Sequence, residues 1–245
     1  MKSIFAALII SLLLTYHVSF AQKATYKEGN LFGLSVNVGA SSFASALAWT
    51  HLYCIGNNKR FKIGYGLRLT NFFGSDLDFA TAPAKYTSGK SSIAALFAEN
   101  IIANIDTISL QKVQTNFLNA GIYMAYTLPW RKNRIELGVN IDAVGFTLGS
   151  KQNVLYKNNT SSARPTAFNL LLISDSDMGS LNSEWYVSYW VTKHLSVKAG
   201  YQFLFTEYTT DTKIQQLPNS AEKNNRFRLK SPMLLLGILY APFRK

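Results

Sequence analysis

The sequence is poor in cysteine, poor in acidic residues and without long apolar runs. One Cys, Cys54, stands among 245 residues, which excludes a disulfide scaffold and a multi-cysteine zinc site. No apolar stretch reaches the roughly 18 residues that a membrane-spanning helix needs. Only 13 Asp and Glu face 25 Lys and Arg, which leaves a formal charge of +12. What is present is apolar surface. The chain is 48% hydrophobic and 13% aromatic, too rich to stay disordered.

The N-terminus reads as an address. Lys2 supplies a positive start, Ile4 to Leu14 is apolar apart from Ser11, and Ser19-Phe20-Ala21 forms a small-x-small cleavage site before Gln22. This predicts a secretory signal peptide over residues 1–21 and one barrel domain over 22–245. The mature chain then carries 24 bases less 13 acids, a charge of +11.

Beyond that point the apolar pattern has a period of two. Phe61, Ile63, Tyr65, Leu67 and Leu69 alternate with Lys62, Gly64, Gly66, Arg68 and Thr70. Ile135, Leu137, Val139 and Ile141 alternate with Glu136, Gly138, Asn140 and Asp142. Leu195, Val197, Ala199, Tyr201 and Phe203 alternate with Ser196, Lys198, Gly200 and Gln202. Residues 31–39 and 181–191 behave in the same way, and Ala46–Ile55, Gln114–Leu128 and Leu229–Phe243 carry a blurred version. Each is a strand with one apolar face, eight in all.

The connections differ in length. Gly56–Arg60, Pro129–Asn133 and Thr192–His194 are tight turns, whereas the connections after the third, fifth and seventh strands run to roughly 20–40 residues. Short turns at one end and long loops at the other predict an all-β, antiparallel transmembrane β-barrel with short periplasmic turns and long extracellular loops. Lipid cannot satisfy a backbone N–H or C=O, so a sheet crosses a membrane only when it has no edge. A soluble barrel would have to bury the minor face, which is Gly, Ser, Asn, Thr and a few charges, and would have no core. Eight strands are expected. Ten would follow if the apolar patch from Phe168 to Ile173 formed an added hairpin in the wall.

The repeated G-x-G and apolar-x-apolar strands, the Ala21-Gln22 signal end and a last strand MLLLGILYAPF ending in Phe243 resemble the small eight-stranded outer-membrane β-barrels of Gram-negative bacteria, particularly those of Bacteroidetes. The resemblance covers the whole mature chain as a pattern rather than a motif. It implies an outer-membrane location and a monomeric barrel. Its partners would be outer-membrane lipid and lipopolysaccharide, with an envelope protein as a further candidate. Some barrels of this size support secretion or envelope complexes.

Charge placement suggests three candidate regions. Arg68 and Lys198 fall on the minor face with Glu136, Asp142 and Glu184, and Lys230 is a further candidate there. Buried charges in a narrow bore must pair, so these predict a closed lumen laced by ion pairs. Lys59, Arg60, Arg131, Lys132, Arg134 and Lys193 form a basic periplasmic rim, read first as bases that fix the barrel's depth. In the loops, Ile93, Leu96, Phe97, Ile101 and Ile105 have helical spacing over Ser91–Ile105. With Phe168 and Leu171 they are the candidate recognition surface, one patch packing on the other. No basic stretch is interleaved with exposed aromatics on a soluble domain, which argues against nucleic-acid binding.

Chemistry is harder to find. The mature chain holds two His, His51 within a strand and His194 in a tight turn, and no G-x-S-x-G elbow. No cofactor, metal or catalytic residue is expected. The expected role is non-enzymatic: surface binding, envelope structure or support of an envelope complex. A lipid-modifying enzyme of the outer leaflet and a narrow channel are the alternatives.

Overall fold

The computed structural model describes residues 26–90, 98–130, 134–172, 177–218 and 221–243. The expected signal peptide lies outside the described residues. In chain order the strands are β1 (Tyr26–Val38), β2 (Ser42–Ile55), β3 (Phe61–Thr81), β4 (Thr107–Thr127), β5 (Ile135–Leu148), β6 (Gln152–Tyr156), β7 (Asn159–Pro165), β8 (Phe168–Leu170), β9 (Leu181–Trp190), β10 (Leu195–Thr210), β11 (Gln215–Gln216), β12 (Lys223–Asn224) and β13 (Arg226–Tyr240). A short helix, α1 (Ala84–Ser88), follows β3.

Eight of these strands close a ring in the order β1-β2-β3-β4-β5-β9-β10-β13. Every pairing is antiparallel, and β13 returns to β1 with Tyr240 opposite Phe32 and Leu234 opposite Val38. The wall has eight strands, not ten. The long connection after β5 does form a hairpin, β6–β7, but it joins the sheet higher up and does not widen the ring.

Alternation explains the two faces of this ring. Phe32, Leu34, Val36, Leu67, Leu137, Val187, Val197, Leu236 and Ile238 point outward and are exposed. Asn37, Thr70, Asn119, Asn140, Asn182, Ser188 and Gln202 point inward and are buried. An apolar outside around a polar inside is the arrangement that hydrocarbon demands of a barrel. The glycines of the minor face make room inside it. A Cβ on Gly138 would lie 2.1 Å from the Tyr186 ring, so that aromatic fills the bore only because position 138 has no side chain.

The long connections are largely more sheet. β3 and β4 continue as a hairpin past Phe73, with Leu77 opposite Leu110 and Ala80 opposite Thr107. β6 sits beside β4, with Leu155 opposite Ser109, and β7 beside β10, with Pro165 opposite Tyr208. β13 meets β3 directly, with Phe227 opposite Thr81 and Arg228 opposite Ala80. Above the membrane ring there is thus a second closed ring of six strands, β3-β4-β6-β7-β10-β13.

The phase of the alternation shifts between the two rings. Along β3, Thr70 and Phe72 face inward, whereas above Asp76 it is Leu77, Phe79 and Thr81 that do. Asp76 takes φ 50°, a left-handed conformation, at the shift. On β4 the adjacent exposed pair Gln111 and Lys112 separates buried Leu110 from buried Val113. The upper ring therefore encloses an apolar core containing Phe79, Ile108, Leu110, Val154, Ala163, Tyr208 and Phe227. This core runs down to Phe72, Phe117, Leu204 and Met233.

Candidate functional site

Two features govern what the molecule can do: a charged lumen and the cap above it. In the lumen, Arg68 of β3 is almost fully buried. Its Nη1 lies 3.7 Å from Asp142 Oδ1 of β5 and 3.5 Å from Glu184 Oε1 of β9. Its guanidinium carbon sits 5.7 Å from the centre of the Tyr123 ring. Lys198 of β10 donates to Glu184 Oε2 at 3.0 Å and stands over the Tyr186 ring. Asn140 donates to the same carboxylate at 3.0 Å, and Asn119 to Asp142 Oδ2 at 2.8 Å. Four strands thus contribute charges to one cross-bore cluster.

Glu136 belongs to a separate pair. Lys62 Nζ lies 2.6 Å from its Oε1, and Thr127 also donates to that oxygen. Lys62 alternates correctly for the lumen but adjoins a basic turn, and by sequence it groups with that turn. Lys230, a lumen candidate by sequence, is instead exposed on the outer face of β13, 6.0 Å from the Phe205 ring centre.

The cap is tied down by contacts between residues distant in sequence. Glu207 is fully buried, and Arg226 grips it with Nε at 2.8 Å and Nη2 at 2.9 Å. Arg228 Nη2 reaches the same carboxylate at 3.0 Å, and both arginines donate to the Asp177 carbonyl. Buried Gln215 joins three loops: it accepts from Thr81 Oγ1 at 3.0 Å and Asn224 Nδ2 at 2.9 Å, and donates to the Asn104 carbonyl at 2.8 Å. These ties reach across the sheet, so periodicity could not reveal them. At the edge of the upper core Tyr156, tilted against Phe227, donates to Asp106, and burial followed by that carboxylate pushes the phenol's pKa up. Asp211 accepts from Lys151 and Arg164, which hold its carboxyl below the ordinary value.

Among the rim residues, Lys59, Arg134 and Lys193 are exposed and Arg60 half-buried, all at the end of the tight turns. Arg131 and Lys132 lie outside the described residues. So do Ile93, Leu96 and Phe97. The expected helix over 91–105 is not formed in its described part, where 98–105 contains only a 3₁₀ turn, Ile102–Asn104. Its spacing was helical, but the segment is spent on bridging α1 to β4, with Ile101 N–H bonded to the Thr87 carbonyl. Ile101 and Leu171 are exposed. Phe168 packs edge-on against Phe146 of β5 at the upper border of the apolar belt. His51 Nδ1 is 2.8 Å from Asn30 Oδ1 amid Tyr53 and Tyr65, and His194 donates to the Ala241 carbonyl. Cys54 is buried. No cluster of three or more metal-ligating side chains occurs among the described residues.

This is a membrane-spanning β-barrel. The ring is closed, belted by apolar side chains and polar within, the form in which strands cross a membrane. No protein-family model matches the sequence, and no curated protein matches it as a relative. Among solved structures it is similar to Neisserial surface protein A, at 11% identity over 89% of this chain and 99% of that one, with a TM-score of 0.36. The outer-membrane protein Ail of Yersinia pestis shares 8% identity over 87% and 99%, at 0.35. The CymD monoaromatic hydrocarbon channel shares 8% over 88% and 89%, at 0.23. At such values nothing about this barrel's ligands follows from these proteins.

Proposed function

We propose that this barrel is a non-conducting, non-enzymatic surface protein whose recognition is carried by its extracellular cap, with the membrane ring as a rigid mount. The observation that carries this reading is the continuous apolar core inside the upper ring. Phe79, Ile108, Phe227 and their neighbours stand over the mouth of the lumen and leave ions no polar path out. Below it, Arg68 with Asp142, Glu184 and Lys198 occupies a bore that eight strands make only wide enough for side chains. With transport closed, the exposed surface of the cap is where partners can be met, and binding residues collect on loops held by rigid scaffolds. Ile101 and Leu171 lie on that exposed surface. The basic rim of Lys59, Arg60, Arg134 and Lys193 sets the barrel's depth from the other side.

The test is planar-bilayer recording of the purified barrel beside affinity capture from its native membrane. No steady conductance is expected, and a captured partner should be lost when residues 98–105 and 168–172 are replaced by short linkers. A stable, ion-selective channel would overturn the reading.

A further inference from the structure

The bore of the lower ring is polar only in its middle. At the end of the tight turns Leu31, Leu52, Trp190 and Ala241 form a buried apolar cluster with the Tyr123 ring. At the other end Phe72, Phe117, Leu204 and Met233 close the bore as the foot of the upper core. The inward series of single strands pass from one kind to the other. On β3, Arg68 and Thr70 are followed by Phe72, and on β10, Lys198 and Gln202 are followed by Leu204. On β9, Asn182 and Glu184 stand above Trp190.

Between these seals the polar groups do not satisfy one another. Asn37 of β1, Asn182 of β9 and Gln202 of β10 are buried, and neither the oxygen nor the nitrogen of their side-chain amides has a hydrogen-bond partner in the protein. Register sets the three just under the upper seal. Asn182 is opposite Leu204, Gln202 is opposite Met233, and Asn37 is opposite Leu235, the next inward residue below Met233. Arg68 Nη1 is unpartnered too, as are Asp142 Oδ1 and Glu184 Oε1, which flank it at 3.7 and 3.5 Å. The charges of Arg68 and Lys198 cancel those of Asp142 and Glu184, so the stretch calls for neither a cation nor an anion. Its unmet demand is for a small neutral molecule that both donates and accepts.

We propose that a cluster of trapped water fills this stretch, held by the amides of Asn37, Asn182 and Gln202 and bridging Arg68 to its two carboxylates. Water meets the N–H and the C=O of an amide alike, and buried polar groups left unpaired cost more than the water's immobilisation. The Arg68 nitrogen is too far from either carboxylate oxygen for a good direct hydrogen bond, and a water bonded to both members of a pair completes the contact. The ion cluster is then a hydrated one, and the two apolar seals, rather than the charges, close the bore. This inference rests on the closed lumen proposed above and names what fills it.

The test is solid-state NMR of the barrel in deuterated lipid bilayers, with magnetisation passed from water to assigned side chains. Oxygen-17 relaxation dispersion of water, with the barrel in micelles, gives the residence time. Direct water cross-peaks are expected at Asn37, Asn182 and Gln202 and not at Phe79 of the upper core. The dispersion should show waters held longer than the particle takes to tumble. Gln202→Met keeps the length of the side chain and removes its polar atoms. It should lower the dispersion amplitude and weaken the water cross-peaks of Asn182 and Asn37, with heat-dependent gel migration confirming the fold. Cross-peaks of Asn182 and Asn37 unchanged in Gln202→Met would overturn a shared cluster. A wild-type barrel without cross-peaks at the three amides would have a dry bore, which overturns the water and leaves the non-conducting reading intact. Cross-peaks without dispersion would mean freely exchanging water and overturn the seals. Steady conductance in addition would overturn the closed lumen as well.

Discussion

The two stacked rings are built from the same strands and have opposite insides. In the lower ring Arg68, Asn119, Asp142 and Glu184 point inward while Leu67, Leu137 and Val197 face outward. In the upper ring Phe79, Ile108 and Phe227 are enclosed while Asp76, Asp78, Gln111 and Lys112 face out. Hydrogen bonding is satisfied in both by closure, so the backbone does not decide between them. What differs is the surrounding solvent. Against hydrocarbon the wall must be apolar outside, and the interior is left to whatever can pair. Against water the hydrophobic effect reclaims the interior. β3 and β4 serve both rings because one local irregularity, at Asp76 and at Gln111-Lys112, exchanges their faces.

The two interiors should fail in different ways when cut. Glu184 is shared by Arg68 and Lys198. Glu184→Ala leaves two buried cations with only Asp142 nearby, and removing one partner of a buried pair costs about 3–5 kcal/mol. Phe79→Ala should cost about as much through the cavity it leaves. The difference lies in place. Glu184→Ala should lower the urea midpoint of the whole barrel in lipid vesicles. Phe79→Ala should leave heat-resistant gel migration intact and speed amide exchange in β6, β7 and the upper parts of β3 and β4. If both variants destabilise the whole barrel alike, the rings are one cooperative unit.

The outer faces offer the next contrast. Val139 lies on the lipid face of β5 and Gln111 on the exposed outer face of upper β4. Arg in place of Val139 should cost about 2–4 kcal/mol in refolding into bilayers, because the midplane solvates a guanidinium poorly. Gln111→Arg should stay within about 0.5 kcal/mol, as surface substitutions do. Refolding of Val139→Arg at wild-type strength would show that the faces of β5 have been exchanged by one residue.

The lower ring was legible where its period runs unbroken, as in β3 and β10, even though β5 carries a register shift beyond Asp142. Phe61 to Leu69 and Leu195 to Phe205 announce both face and register. The upper ring was not legible, for the same reason. Leu77, Phe79 and Thr81 alternate well, but in the phase opposite to Phe61–Leu69, so a reading continued from below dissolves at Asp76. The Glu207, Arg226 and Arg228 cluster depends on the β10–β13 register, in which Glu207 stands opposite Arg228 and Thr209 opposite Arg226. Composition offers no trace of that. Lys62 was hidden by position, since a base beside a basic turn looks like part of the turn until its strand phase is followed inward to Glu136. Lys230 erred the other way. The blurred alternation of β13 gives no clear phase near its top, where Phe227 and Arg228 are both buried.

The smallest expected effect separates the two regions by pH. On the outer surface Asp211 accepts from Lys151 and Arg164, and these bonds depress its carboxyl below the ordinary value of about 4. A depressed acid contributes its tie fully above the unfolded pKa and loses it as pH falls through the lower, folded value. Asp211 N–H also bonds to the Ser162 carbonyl, linking the 211–214 segment to β7. Below about pH 4, amide exchange at 211–214, corrected for its intrinsic pH dependence, should therefore rise first, while the strands of the membrane ring stay protected. Asp211→Asn should show the raised exchange already at neutral pH and lose the acid step. The group is exposed, so the global unfolding midpoint should hardly move. An acid step that persists in Asp211→Asn would assign it to another carboxylate of the cap, with Asp106 beside Tyr156 and Lys157 the next to replace.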